Sequence, residues 1–268
     1  MLGVLLAIDV GNTQTVLDVF AGETLVESWR IRTDARMTAD ELALMFRGLL
    51  ADTAPLTGVA ACSTVPAVLR ELRTMLARSF HGVPHVVVEP GVRTGVSILT
   101  DNPKEVGTDR IMNTLAVHHL YGGPAVVVDF GTSTNFDVVS ARGEFLGGAL
   151  APGIGISVDA LAARGAQLVK VELVKPRSVI GKNTVEALQS GILYGFAGQV
   201  DGIVTRICRE LGEPTTIVAT GGLAPLVVDS CRTVNEREPD LTVHGLRLAF
   251  ERSQAADRSA PGRRPASP

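Results

Sequence analysis

The sequence Leu5-Leu6-Ala7-Ile8-Asp9-Val10-Gly11-Asn12-Thr13 decides the fold. A continuous apolar run that ends in an acid is typical of a strand buried on both faces, and Gly11-Asn12 is a turn signal. The same arrangement returns at Val128-Asp129-Phe130-Gly131-Thr132-Ser133, at an offset of 129 − 9 = 120 residues. Repetition at this distance indicates duplicated domains rather than a solenoid.

After each of these turns, the sequence predicts two further strands. Each half of the chain is therefore predicted to open with a three-stranded β-meander. The predicted fold is α/β, with one domain at residues 1–121 and a second at residues 122–252. A last helix is predicted at about residues 242–251. The tail at residues 253–268 has almost nothing to bury, and it is predicted to be disordered.

Composition excludes several classes of protein. The 268 residues carry a formal net charge of −3 and no basic stripe, which argues against nucleic-acid binding. Residues 1–8 lack a basic leader, and no apolar run reaches the ~18 residues of a membrane span, so we expect a soluble cytoplasmic protein without a membrane partner. The cysteines lack C-x-x-C spacing, which argues against a disulfide framework or a zinc site.

The turn after Asp9 carries residues suited to phosphate binding. An aspartate at the end of a buried strand can hold a hydrated Mg²⁺ at a phosphate, and Gly11 lets backbone N–H groups approach phosphate oxygens. The alternative is an ordinary hairpin turn with Asn12 at positive φ. The second copy at Asp129 favours phosphate binding, because two matching loops from duplicated halves are expected to face each other across a cleft.

Other segments each allow two interpretations. Gly107-Thr108-Asp109-Arg110 lies where a loop enters a helix, so Asp109 is either a helix cap or a general base beside an arginine that grips a carboxylate. Thr220-Gly221-Gly222 is either a simple turn or a close approach to a planar ring such as adenine. Thr184 is either a cap or a hydroxyl contact to a substrate.

The order of these motifs resembles that of the type III pantothenate kinases, within the superfamily of actin, sugar kinases and chaperone ATPases. The resemblance covers about residues 5–252, and its matching segments are residues 9–13, 101–110, 129–134, 147–153 and 220–222. It implies duplicated actin-like (ribonuclease H-like) domains, each a mixed five-stranded sheet with flanking helices.

The resemblance also implies an activity. This is the ATP-dependent phosphorylation of pantothenate to 4′-phosphopantothenate, the first step of coenzyme A biosynthesis. Members use Mg²⁺ and a monovalent cation, K⁺ or NH4⁺. They form homodimers in which the substrate pocket lies at the interface.

Roles for individual residues follow from the resemblance alone. Asp109 is implied as the catalytic base, Asp129 as a ligand of the monovalent cation, and Asp9 as a ligand of Mg²⁺ through water. The implied ATP-binding residues are Asp9, Val10, Gly11, Asn12, Thr13, Gln14, Thr15, Val16, Thr132, Gly221 and Gly222. The implied pantothenate-binding residues are Gly107, Thr108, Asp109, Arg110, Thr184 and Thr100.

Two positions depart from the family pattern. Thr100 stands where the family usually has Tyr, and Thr108 stands where Ala is common. The Thr100 departure keeps open a second hypothesis, a non-catalytic nucleotide-binding regulator of the same fold. A third hypothesis is a sugar kinase, which needs a substrate-binding aspartate from elsewhere in the chain.

Overall fold

The structure is a computed structural model that describes residues 3–89, 91–164 and 171–259. Within this part of the chain, contacts define two compact units. The first unit contains the chain up to Val96, Asn102–Ala116 and the chain from Thr242 onward. The second unit contains Ser97–Asp101 and Val117–Leu241. This division differs from a single boundary between residues 121 and 122, because the end of the chain returns to the first unit.

The first unit is built on a five-stranded sheet in the order β3-β2-β1-β4-β5. The first three strands form an antiparallel meander, and the last two add in parallel. The strands are β1 (Val4–Val10), β2 (Gln14–Ala21), β3 (Thr24–Arg32), β4 (Gly58–Ser63) and β5 (His85–Val88).

One face of this sheet packs against α1 (Ala39–Leu49) and α2 (Pro66–Ser79). The buried contacts come from alternate residues such as Ile8 and Leu17, as expected for a strand period of two. A capping box begins α1: the side chain of Thr38 accepts a hydrogen bond from the backbone N–H of Glu41, and the Glu41 side chain accepts one from the backbone N–H of Thr38. The T-x-x-E pattern of these residues is a helix-start signal in the sequence itself.

Two helices, α3 (Thr108–Tyr121) and α7 (Leu241–Ser259), contribute to the first unit beside the other face of the sheet. The rings of Phe20 and His244 lie 5.4 Å apart, and a Cβ on Gly58 would collide with the ring of Phe250. A Cβ on Gly245 would likewise collide with the backbone of Met112, so the two helices pack closely because this position is glycine.

The prediction of a disordered tail from residue 253 is wrong for its first part, because α7 continues to Ser259. The helix is anchored just before that point, where the guanidinium of Arg252 donates a hydrogen bond to the carbonyl of Thr94 at 2.9 Å. Once a helix is nucleated and packed, each further residue that becomes ordered adds a backbone hydrogen bond, whereas the first turn orders three residues for one bond. The rest of the predicted tail, residues 260–268, lies outside the described residues.

The second unit repeats the sheet of the first in the order β10-β9-β6-β7-β8. An antiparallel meander is again followed by parallel strands, which confirms the predicted pair of mixed five-stranded sheets. The strands are β6 (Ala125–Phe130), β7 (Ser133–Val139), β8 (Phe145–Pro152), β9 (Thr216–Thr220) and β10 (Glu236–Arg237). The helices are α4 (Ile154–Arg164), α5 (Thr184–Leu211) and α6 (Ala224–Val227).

The duplication extends to the register of the strands. In the first unit Ala7, two residues before Asp9, pairs with Asp18; in the second, Val127, two residues before Asp129, pairs with Asp137. Asp18 and Asp137 are both fully buried. Each meander therefore places a second carboxyl on the same face as the first, since residues two apart on a strand share a face.

The helices of the described residues include none that is both long and apolar enough to cross a membrane.

Candidate active site

A row of residues crosses the whole sheet of the first unit at the end of β1. Asp9 pairs with Val16 on one side and with Cys62 on the other, and the row continues to Arg30 and Val88. Residues in register lie on the same face of a sheet. The neighbours of these residues along the strands, such as Ile8 and Leu17, pack against α1 and α2, so the row lies on the face of the sheet that points away from these two helices. We call these five residues the Asp9 row.

Within the Asp9 row, the carboxyl of Asp9 has an unusual environment. The thiol of Cys62 donates a hydrogen bond to Asp9 Oδ1 at 3.3 Å. Burial raises the pKa of Asp9 to about 7, and the negative charge of Asp109 adds to the effect, while the thiol and the charge of Arg30 oppose it. Asp9 is therefore a carboxyl that a bound cation would stabilise in its charged form.

The loop after Asp9 is fastened by a residue that sequence reasoning missed. Thr33 donates a backbone hydrogen bond to the carbonyl of Thr13 at 3.1 Å, and its hydroxyl donates to the carbonyl of Gly11 at 2.8 Å. The hydroxyls of Thr33 and Thr15 also lie 2.9 Å apart. Thr33 follows the end of β3 and carries no motif, so only the pairing of β2 with β3 reveals its role.

The side chains of this loop divide into two groups. Asn12, Thr13 and Gln14 are exposed, as expected for residues that contact a ligand. Val10 and Thr15 are buried, so that either can contact a nucleotide only through its backbone.

Asp109 lies in the first turn of α3 and carries the second perturbed carboxyl of this unit. Burial raises its pKa, although the backbone N–H and the charge of Arg110 oppose the rise. The carboxyl packs so closely on Gly107 that a Cβ there would collide with it. Thr108 is buried and interacts with the thiol of Cys62. The first unit thus brings the predicted base and the predicted phosphate loop into one cluster.

This cluster has a defined chemical capacity. A carboxylate with a raised pKa is a stronger base than an ordinary aspartate, and it suits proton removal from an alcohol. The second carboxyl suits a hydrated divalent cation, which would offset the repulsion between the two acids. In the described residues no group of three or more His, Cys, Asp or Glu could hold a metal ion by itself.

The second unit carries the matching loop after Asp129. Gly131 donates its N–H to the carbonyl of Ser133 at 3.0 Å, as Gly11 does to Gln14 in the first unit. The backbone N–H of Gly153 donates to the carbonyl of Thr132 at 3.1 Å, and a Cβ on Gly153 would collide with that carbonyl. The start of α4 is therefore fixed directly against the loop.

The carboxyl of Asp129 lies against Gly221, where the chain leaves β9. Gly221 has a φ of 91°, which favours glycine, and a Cβ there would collide with the carboxyl of Asp129 and the backbone of Phe130. Gly222 differs, because a Cβ there would meet no atom within 4 Å. The two glycines predicted to approach adenine therefore differ: Gly221 is required for close packing, whereas Gly222 borders open space.

We expect Gly221→Ala to lower the free energy of unfolding by about 3 kcal/mol or more, because it adds backbone strain at positive φ to a collision with the backbone. Gly222→Ala is the matched control and is expected to stay within about 0.5 kcal/mol of the wild type. Urea unfolding of both variants measures the difference. Equal stability of the two variants would contradict the assigned packing role.

The predicted pantothenate contacts outside the 107–110 segment lie in the second unit. Thr100 lies beside the start of β8, with its methyl facing Gly147, and its buried hydroxyl has no hydrogen-bond partner in the described part of the chain. Thr184 is the exposed first residue of α5. It is not the helix cap, because the side chain of Asn183 accepts the hydrogen bond from the backbone N–H of Glu186 at 2.9 Å.

An apolar groove runs between α4 and α5 on the second unit. Its lining combines large apolar side chains, such as Leu161 and Ile192, with the small residues Ala187, Gly191 and Gly195. Several apolar side chains near these helices are also strongly exposed, including Ile156 and Val185. Exposed apolar surface of this kind is characteristic of interaction sites.

Comparison with known proteins agrees with the motifs. The sequence profile of the type III pantothenate kinase family matches residues 5–206. A type III pantothenate kinase of Acidothermus cellulolyticus is 68% identical over 252 residues, covering 93% of this chain and 98% of that protein. One of Salinispora arenicola is 66% identical over 250 residues, covering 93% and 99%.

Solved structures at low identity share the fold. A putative Baf family transcriptional activator from Campylobacter jejuni has a TM-score of 0.60 at 16% identity, covering 93% of this chain and 99% of that one. A ROK hexokinase from Thermus thermophilus has a TM-score of 0.53 at 14% identity, covering 94% and 99%. These likenesses extend to the fold alone and confirm the predicted duplicated actin-like architecture.

Proposed function

The chain belongs to the type III pantothenate kinase family, and from this premise we propose that Asp109 is the base in its phosphoryl transfer from ATP to pantothenate. The enzyme produces 4′-phosphopantothenate, in the first step of coenzyme A biosynthesis. The observation that carries the role of Asp109 is its position beside Asp9: the charge of Asp109 helps to raise the pKa of Asp9, and burial raises the pKa of Asp109 itself.

In the proposed step, the primary hydroxyl oxygen of pantothenate attacks the γ-phosphorus of ATP. The bond between that phosphorus and the oxygen bridging to the β-phosphate breaks, ADP leaves with the bonding pair, and the hydroxyl proton passes to Asp109. Because the transition state of phosphoryl transfer is loose, the protein acts mainly by positioning groups and balancing charge. Arg110, next to the base, would hold the pantothenate carboxylate through its guanidinium fork.

Asp9 would hold Mg²⁺ through water. Its carboxyl stands at the end of β1, beside the exposed loop and under the influence of a second acid, which supports a cation there. Mg²⁺ usually keeps several waters and takes one or two carboxylates together with substrate phosphates, so it needs no larger set of protein ligands. When bound, it offsets the charge of the phosphate oxygens.

Asp129 would bind the monovalent cation, K⁺ or NH4⁺, and Thr132 would contact ATP. The carboxyl of Asp129 lies near the backbone of Gly131 and Gly221, and carboxylate and carbonyl oxygens suit a hard cation. The open space at Gly222 supports the approach of the adenine ring.

We further propose a homodimer in which a second copy covers the groove between α4 and α5. Thr184, exposed at the start of α5, would then contact pantothenate in the partner's pocket. Strongly exposed apolar residues before α5, Val179 and Ile180, support such an interface. A cytoplasmic location fits an enzyme that consumes ATP.

A coupled assay with ATP, Mg²⁺ and pantothenate, run with and without K⁺, tests this proposal. We expect ADP release that depends on pantothenate and falls about tenfold or more without K⁺ or NH4⁺, equivalent to ~1.4 kcal/mol of lost charge stabilisation. Asp129→Asn is expected to remove the response to K⁺. Phosphorylation of hexoses instead of pantothenate would indicate a sugar kinase, and a folded protein without any product would indicate a regulator.

A further inference from the structure

Arg30 occupies the end of the Asp9 row that lies on β3. Two strand spacings separate it from Asp9, with Val16 between them. Neighbouring strands lie about 4.8 Å apart, so the two Cα atoms are about 10 Å apart, and a long arginine side chain can extend over Val16 toward the end of β1. The charge of Arg30 lowers the pKa of Asp9, which places the guanidinium within electrostatic reach of that carboxyl.

Arg30 is also exposed and has no protein partner of its own. In the described ranges, no residue accepts a hydrogen bond from it or forms an ion pair with it. Some other arginines of the first unit are paired, for example Arg36 with Asp34 at 3.2 Å and Arg247 with Glu251 at 2.7 Å. Arg30 is thus a cation without a carboxylate partner, on the face and in the row where the phosphate loop begins.

We propose that Arg30 is a further phosphate-binding residue of the nucleotide site and donates hydrogen bonds to the polyphosphate of ATP. This inference rests on the proposed ATP site at the Asp9 loop. A phosphate held by the backbone at Gly11 and by a cation on Asp9 would lie above the end of β1 and the start of β2, on the face of the sheet that also carries Arg30. The planar guanidinium fork matches two phosphate oxygens, which a lysine ammonium does not.

The test uses three variants of the full chain: Arg30→Gln, Arg30→Lys and Arg47→Gln. Arg47 is a matched control, because it is an exposed arginine in the last turn of α1, the helix that packs on the opposite face of the sheet. Calorimetry measures binding of inorganic tripolyphosphate, without divalent cations, and of adenosine. Steady-state kinetics measures the KM for MgATP.

Arg30→Gln is expected to weaken binding of tripolyphosphate and to raise the KM for MgATP about tenfold to a hundredfold, as for the loss of a charge-assisted hydrogen bond. Adenosine binding is expected to stay unchanged. Arg30→Lys should fall between Arg30→Gln and the wild type, and Arg47→Gln should match the wild type.

Unchanged tripolyphosphate binding in Arg30→Gln would overturn the inference. So would a defect seen only when Mg²⁺ is present, because Arg30 would then act through Asp9 and its cation. Failure of the proposed function looks different: the wild type itself would not phosphorylate pantothenate. A wild type that phosphorylates pantothenate but binds no tripolyphosphate would overturn this inference and leave the proposed function intact.

Discussion

Replacement of Asp109 by Asn is expected to lower kcat about a hundredfold or more and to leave the affinity for ATP near that of the wild type. The amide has nearly the shape of the carboxyl and can still accept the backbone hydrogen bond from Arg110, but it cannot take a proton from the substrate hydroxyl. Steady-state kinetics gives kcat, and calorimetry gives the dissociation constant for ATP. Asp52→Asn, in the exposed turn after α1, is the control and should behave as the wild type.

The pH dependence sharpens this expectation. A base must be deprotonated to act, so kcat/KM should fall as the pH is lowered through the pKa of Asp109. Burial raises that pKa, which moves the acid limb above the ordinary range of an aspartate. Because the charges of Asp9 and Asp109 interact, the apparent pKa of the acid limb of the pH profile belongs to the two carboxyls together rather than to one of them. A kcat for Asp109→Asn equal to that of the wild type would refute the assignment of the base.

Replacement of Asp9 by Asn is expected to inactivate the enzyme and, at pH 8 without divalent cations, to make it more stable. The pKa of Asp9 rises from 3.8 to about 7 on folding, so the folded state binds the proton more tightly than the unfolded state. The free energy of unfolding therefore falls as the pH rises from about 4 to about 7, by up to about 4 kcal/mol. Asparagine carries no charge and avoids this loss.

Urea unfolding at pH 4 and pH 8 measures this effect. At pH 8 the Asp9→Asn protein should exceed the wild type by about 2–4 kcal/mol, and the difference should vanish at pH 4, where the wild-type carboxyl is protonated. Mg²⁺ together with ATP should stabilise the wild type and leave the variant unchanged. An Asp9→Asn protein less stable than the wild type at pH 8 would show that the charged carboxyl is not strained in the fold.

Much of the architecture follows from local patterns. The apolar run before Asp9 and its copy before Asp129 predict two central strands, since each is long enough to show burial on both faces. The capping box at Thr38 predicts the start of α1 by a specific pair of hydrogen bonds. The two-residue β10 and the four-residue α6 remained unpredicted, because elements so short show no period.

The arrangement of the site depends on information that local patterns do not contain. Cys62 and Arg30 reach the Asp9 row through strand register, which is set by pairing between segments distant in sequence. The same holds for Thr33, whose hydrogen bonds fasten the phosphate loop. A local pattern can also leave the capping residue uncertain by one position: Thr184 was a candidate cap of α5, but Asn183 is the cap.

The return of α7 to the first unit has a consequence for how the protein is made. Its buried residues, among them Val243, Leu246 and Leu248, complete a unit whose sheet was synthesised first. During translation, the sheet of residues 4–88 must wait for the last helix, while the uninterrupted stretch of the second unit emerges whole. The unit that carries the proposed base is thus completed after the second unit has been synthesised, because α7 follows it in the chain.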